Sequence, residues 1–241
     1  MYTREQKLQA VIDDIQKKWG DKAIRKARAV SPVNDNLPTG FPSLDALIGG
    51  GVERGCLTEI IGLPTSGMTT LALKVMASAQ QEGDGVVLFD LAAAFDPAAA
   101  TFCGVDIANI LLLRDDVDSL ISMLSDVVGS AIPGLVVVNT FPRLSGKEQF
   151  QLSEAIKRLM PLLIVTRCAL LLLSLPASGR SFVSQYASLR LNPRFDRWFF
   201  ANGDVSGFQS VITILKYKGE NEGRRVAVPI LFDDKSGGVD T

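Results

Sequence analysis

Two hydrophobic rhythms alternate along the chain. Leu8, Val11, Ile12, Ile15 and Trp19 recur at three- and four-residue spacing and Gly20 follows, which predicts an amphipathic helix over residues 6–19 with a glycine stop. The polar, proline-marked stretch Ser31-Pro32-Val33-Asn34-Asp35-Asn36-Leu37-Pro38 reads as a linker. Beyond it, unbroken apolar runs at residues 57–61, 86–91, 110–113, 135–138 and 169–175 alternate with helical patterns at 68–81, 116–128 and 147–162. Unbroken rather than alternating strands are what a sheet covered by helices on both faces requires. After Gln185, residues 186–191, 211–217 and 226–232 are strand-like without intervening helices, predicting an antiparallel extension at one sheet edge.

The expected architecture is therefore α/β, with a mostly parallel central sheet flanked by helices, an antiparallel C-terminal extension and an N-terminal helical arm. Its expected parts are the arm and linker (residues 1–36), a core domain (37–235) and a disordered tail (236–241). The helix of the first part either packs on a neighbouring chain or folds back on its own core. The most membrane-like stretch, residues 159–176, contains Pro161 and Arg167 and breaks into a helix end, a turn at Thr166-Arg167-Cys168 and a strand. It predicts no spanning helix.

Composition narrows the chemistry. The 241 residues are 47% hydrophobic and 21% charged, a globular balance. Histidine is absent, which excludes a Ser-His-Asp triad, an imidazole general base and His-containing zinc sites. Cys56, Cys103 and Cys168 are far apart and read as reduced, buried thiols in a cytoplasmic protein, as does an N-terminus without an apolar signal region. Net charge is -1, so the chain as a whole lacks the basic excess of a phosphate-backbone binder. The charge is uneven: residues 4–28 and 180–225 are each predominantly basic, whereas residues 82–126 carry nine acids and only Arg114.

The strongest motif is the run Gly62, Leu63, Pro64, Thr65, Ser66, Gly67, Met68, Thr69 and Thr70, between a predicted strand and a predicted helix. A G-x-x-x-x-G-K-[ST] loop wraps phosphate with backbone N–H groups and the helix N-terminus, reaches the terminal phosphates with its lysine and holds Mg²⁺ with its hydroxyl. Met68 stands in the lysine position. A thioether neither donates a hydrogen bond nor neutralises phosphate, and a charge-assisted contact is worth about 1.5–3 kcal/mol. No cofactor is expected, and any binding of ATP and Mg²⁺ would be residual.

Several further segments carry a resemblance. Leu37-Pro38-Thr39-Gly40-Phe41-Pro42-Ser43-Leu44-Asp45, the turn Gly49-Gly50-Gly51, Arg54-Gly55-Cys56-Leu57-Thr58-Glu59-Ile60-Ile61-Gly62, Phe95-Asp96-Pro97, Gly104-Val105-Asp106-Ile107 and Tyr186-Ala187-Ser188-Leu189-Arg190-Leu191 occur in that order. Together they resemble the ATPase core of RecA-type recombinases, and residues 18–24 resemble the end of the RecA arm. The resemblance implies a RecA-like P-loop fold and assigns Leu8, Val11, Ile12, Ile15 and Trp19 to a protomer arm. It also marks departures. The family's catalytic glutamate position holds Ala92, its Walker B aspartate position Asn139, its sensing glutamine position Leu175 and its adenine-stacking aromatic position Ala99, while Asp96, the former adenine contact, remains.

Segments 141–147 and 176–184 match the family's DNA-gripping loops but are shorter, leaving Arg143, Lys147 and Arg180 as candidate DNA contacts. Lys216 and Lys218, two apart and so expected on one strand face, match lysines that reach the ATP of an adjacent protomer; an edge strand guarded by lysines is the competing reading. The resemblance implies a non-hydrolysing accessory of DNA recombination or repair, similar in style to the ImuA and SulA-like group of the SOS response. Its expected partners are RecA or a RecA-like protomer, with DNA and a translesion polymerase as further ones. Two other readings stand beside it. One is a divergent DNA-dependent ATPase in which Glu59 or Asp90 supplies the missing carboxylate. The other is a self-assembling structural protein whose pocket is plugged by Met68, Ala92 and Leu175.

Overall fold

The computed structural model describes residues 4–19, 35–91, 93–140, 144–176, 181 and 183–232. The chain divides into two units, residues 1–33 and 34–241. In the first, α1 spans Arg4–Trp19 and ends on Lys17 and Lys18, which complement the helix dipole. Val11 is exposed; the side chains of Leu8, Ile12, Ile15 and Trp19 lie outside the described residues, as does the tail 236–241.

The second unit opens with β1 (Asn36–Leu37), the short α2 (Pro42–Asp45) and β2 (Val52–Glu53), β1 and β2 forming a small antiparallel pair. There follow β3 (Leu57–Ile61), α3 (Met68–Gln81), β4 (Gly85–Asp90), α4 (Pro97–Phe102), β5 (Ile110–Leu113), α5 (Val117–Gly129), β6 (Pro133–Asn139), α6 (Gly146–Thr166), β7 (Ala169–Ser174), β8 (Ala187–Ala201), β9 (Asp204–Lys216) and β10 (Arg225–Leu231). The main sheet has the order β10-β9-β8-β3-β7-β6-β4-β5. This is the expected mostly parallel sheet with helices on both faces and antiparallel strands at its C-terminal edge.

Why the strands read as continuous apolar runs is visible in the packing. Val86, Leu88, Val137 and Leu171 face one core with α3, while Val87, Phe89, Val136 and Leu170 face a second core with α5 and α6. Period-two alternation therefore sorts residues between two dry layers rather than between core and water.

The structure corrects three expectations about elements. Antiparallel pairing begins only at the outer side of β8, which pairs parallel with β3 and antiparallel with β9, as β9 does with β10. The strand expected to end at residue 191 runs to Ala201 and turns through Asn202-Gly203. Both turn residues have positive φ, +53° and +90°, the geometry for which Asn-Gly is preferred in two-residue hairpins. Third, α6 continues through Pro161 to Thr166 and ends on left-handed Arg167. Proline removes a donor to the carbonyl of Lys157, and both residues are on the exposed face of the helix. The start of α6 is held by a capping box in which Ser145 and Glu148 bond each other's backbone N–H.

Candidate functional site

The loop from Gly62 to Thr70 leaves the C-terminal end of β3 at the centre of the sheet. The Gly62 N–H donates to the Ser174 carbonyl at 3.1 Å, tying the exit of β3 to the end of β7. The chain then turns at Leu63, whose carbonyl accepts the Ser66 N–H at 3.2 Å. A Cβ on Gly62 would stand 2.5 Å from Ser66 Oγ, so any other residue there would have to displace that hydroxyl. Gly67 caps α3 at φ +92°, and a Cβ on it would lie 2.2 Å from Ile230 Cδ1. Backbone angle favours glycine at Gly67, while at Gly62 it is the close approach of Ser66 that does so.

The helix α3 begins at the residue that departs from the motif. Met68 is 3% exposed and belongs to the core beneath α3. Thr69 and Thr70 follow in the first turn, and the loop tip Leu63, Pro64 and Thr65 is exposed. Ser66 is buried, and its Oγ has no hydrogen-bond partner among the described residues.

Cavities lie on both sides of this loop. One, of about 420 Å³, runs from the loop over α3 to the ends of β4 and β6. Met68, Phe95, Ala99 and Phe208 supply apolar wall, and Asp90, Asp96 and Asn139 supply polar groups. Its described lining includes neither lysine nor arginine. The other, of about 740 Å³, opens toward β7 and β8 and is bordered by Leu175, Glu59, Arg190 and Arg194. Met68 and Leu175 therefore line different cavities, and they do not converge into one plug; Ala92, the third residue of that expectation, lies outside the described residues.

The polar groups around the loop are engaged with one another. Asp90, 1% exposed, accepts from the N–H groups of Ala94 (3.2 Å) and Phe95 (2.9 Å), from Arg114 Nε (3.3 Å) and from Asn139 Nδ2 (3.2 Å). Asn139, at the end of β6, acts toward Asp90 as a donor. Asp96 caps α4, accepting from the N–H groups of Ala98 (2.8 Å) and Ala99 (3.3 Å). Across the loop, the wholly buried Glu59 accepts from Arg190 Nε (2.7 Å), Ser181 Oγ (2.7 Å) and Ser174 Oγ (3.1 Å). Both carboxylates considered as substitutes for the missing acid thus already have each oxygen bonded.

The two C-terminal lysines are turned onto their own chain. Lys216 Nζ donates to the carbonyls of Ser184 (2.9 Å) and Gln185 (3.3 Å). Lys218 lies beyond the end of β9 and pairs with Glu53, which pushes its ammonium above the ordinary lysine range. The expected shared strand face is corrected by that boundary. Of the candidate DNA contacts, Lys147 is exposed in the first turn of α6, and Arg143 and Arg180 lie outside the described residues.

Sequence reading overlooked the anchoring of the loop by β9. Ser210 Oγ donates to the Ser66 carbonyl at 2.7 Å, and no local signal marks a serine for that contact. The aromatic hairpin β8–β9 was also overlooked, although Asn202-Gly203 announced it.

A strand, a glycine-marked loop and a helix at the centre of a doubly covered parallel sheet define a P-loop α/β protein. The family model of the RecA N-terminal domain matches residues 6–156. The chain belongs to that family. It is similar to Protein RecA of Aquifex pyrophilus, at 34% identity over 147 residues, which cover 60% of this chain and 42% of that protein. Similarity to Protein RecA of Roseiflexus sp. (strain RS-1) is 27% over 262 positions, covering 96% of this chain and 74% of that protein. For Protein RecA of Herpetosiphon aurantiacus the figures are 25% over 260 positions, 96% and 73%. The match thus spans less than half the length of the Aquifex relative. No helix of the described residues is long and apolar enough to cross a membrane.

Proposed function

We propose that this chain is a RecA-type protein of DNA recombination or repair that does not hydrolyse ATP and that regulates or assists a recombinase filament through protein contacts. The observation that carries the reading is the burial of Met68 in the core beneath α3. The loop keeps the backbone form of a phosphate cradle, yet its adjoining cavity presents two carboxylates and no described cation. Such a donor set does not fit a magnesium-bound nucleoside triphosphate, whose charge calls for lysine or arginine and whose metal calls for a free carboxylate. Asp90 is committed to Arg114, Asn139 and two backbone N–H groups, which weighs against the divergent-ATPase reading.

A partner with intact chemistry then has to supply activity, and family membership makes a RecA-like protomer the natural one. In this reading α1 is the protomer arm, the SOS response is the physiological setting, and contacts with DNA or a translesion polymerase are secondary. The test pairs calorimetry with Mg²⁺-ATP and assembly assays in which the chain is added to a RecA recombinase on single-stranded DNA. No heat of nucleotide binding, together with an altered filament length or ATPase rate of the recombinase, is expected. Micromolar ATP binding, or an unchanged recombinase at saturating amounts of the chain, would sink the proposal.

A further inference from the structure

The larger cavity beside the loop, about 740 Å³, lies on the face of the sheet opposite α3. Leu189 and Leu191 pack in the core beneath α3, so Arg190 between them points to the other face, and Asn192 and Arg194 follow it at period two. Glu59 is the cross-strand partner of Arg190 on β8 and of Leu172 on β7. With β8 and β7 on either side of β3, the two lateral walls stand about 10 Å apart. Crevices at the carboxyl ends of parallel strands are where open α/β sheets take ligands.

The two walls differ in chemistry. On β8, Arg190 gives its Nε to the buried Glu59 (2.7 Å), which also accepts from Ser174 and Ser181. Arg194 gives its Nε to Asn192 Oδ1 (3.0 Å), and the buried Asn192 is itself anchored through Nδ2 to the Ile61 carbonyl. Each guanidinium is thus oriented by its Nε, and the terminal nitrogens of both donate to no described residue. Glu59 offsets Arg190, so one positive charge, on Arg194, is left among the described lining residues. Opposite, Leu172 and Leu175 at the end of β7 and Leu144 and Leu152 at the start of α6 form an apolar wall.

We infer that this cavity binds a small organic monoanion, an oxyanion head on an apolar body, with the head on the free guanidinium nitrogens of Arg194 and Arg190 and the body against the leucine wall. Paired N–H groups of an oriented guanidinium match the oxygens of a carboxylate or phosphate. The single uncompensated charge selects one negative charge over two, and the leucines call for an apolar body. A cavity of this volume accommodates a small molecule, and the spacing of the walls sets its reach at about 10 Å. The inference stands apart from the loss of the motif lysine, since Met68 does not line this cavity.

Calorimetry of the full chain with octanoate as probe should show saturable binding of one molecule, at least about tenfold tighter than acetate or 1-octanol, which each lack one half of the ligand. Octyl phosphate, a dianion at pH 8, should bind no more tightly than octanoate. Arg194→Gln alters an exposed side chain and should weaken octanoate about tenfold, with unchanged far-ultraviolet circular dichroism. Leu175→Asp should weaken it through the apolar wall, whereas Arg197→Gln, outside the cavity, should bind as the wild type does. Absent or non-saturating octanoate binding, equal affinity for 1-octanol, tighter binding of octyl phosphate, full affinity in either cavity variant, or an equal loss in Arg197→Gln overturns the inference. So does displacement of octanoate by micromolar oligothymidylate, which would assign the same arginines to a nucleic-acid surface.

Discussion

The Ser210 hydroxyl, in the middle of β9, donates to the Ser66 carbonyl at 2.7 Å and so ties the glycine-marked loop to a strand 144 residues away. Both residues are buried. The contact holds the loop from the side of the sheet that the antiparallel hairpin builds. The loop backbone at Ser66 is thereby fixed to β9.

Ser210→Ala removes that donor and strands a buried carbonyl. A loss of about 1–3 kcal/mol of folding free energy is expected, read as a lower midpoint in urea with an unchanged slope. A midpoint equal to the wild type would show that the loop does not depend on β9.

Met68→Lys restores the motif letter without restoring the site. The ammonium would start from a buried core position and reach outward toward the loop, and a loss of about 1–3 kcal/mol is expected. Phosphate release from ATP should remain at background, because Asn139 donates to Asp90 and no described lysine or arginine lines the adjoining cavity. Measurable turnover in this single variant would show that the remaining residues form a competent site.

Arg190→Met leaves Glu59 buried with only two serine hydroxyls. Breaking a buried ion pair from one side costs about 3–5 kcal/mol, whereas replacing both partners by apolar groups is often near neutral. The double variant Glu59→Met/Arg190→Met should therefore unfold at higher denaturant than Arg190→Met alone. If the double variant is the weaker of the two, the pair is not the dominant interaction at that position.

Burial pushes the Cys168 thiol up from 9.0 to about 12. In the unfolded chain this thiol ionises first, so between those values the unfolded state binds fewer protons and stability falls as pH rises. The contribution is fully present below pH 9 and declines by up to about 1.4 kcal/mol per pH unit above it. Cys168→Ala should lessen that decline, measured as the difference in unfolding free energy between the two proteins at pH 8 and 10.5. Parallel profiles would mean that Cys168 is not the group responsible.

Much of the fold was legible because its signals are local. The unbroken apolar run Leu57–Ile61, the glycines that follow and the helical spacing over Met68–Gln81 predict the central strand, loop and helix at their observed bounds. Each depends on neighbours a few residues apart, through backbone angles and periodicity. The ordered segments from Leu37 to Leu191 likewise carried the family resemblance. What adjacency could not supply is partner choice. Only the folded chain brings Glu59 to Ser174, Ser181 and Arg190, from 115 to 131 residues away. It alone places Met68 and Leu175 on opposite sides of one loop and turns Lys218 onto Glu53. The same holds for β8, which continues past the end of β3. Periodicity reports that a residue is buried or that a strand exists. Which group it meets, and how far a strand outruns its neighbour, follow from packing between segments that the linear order keeps apart.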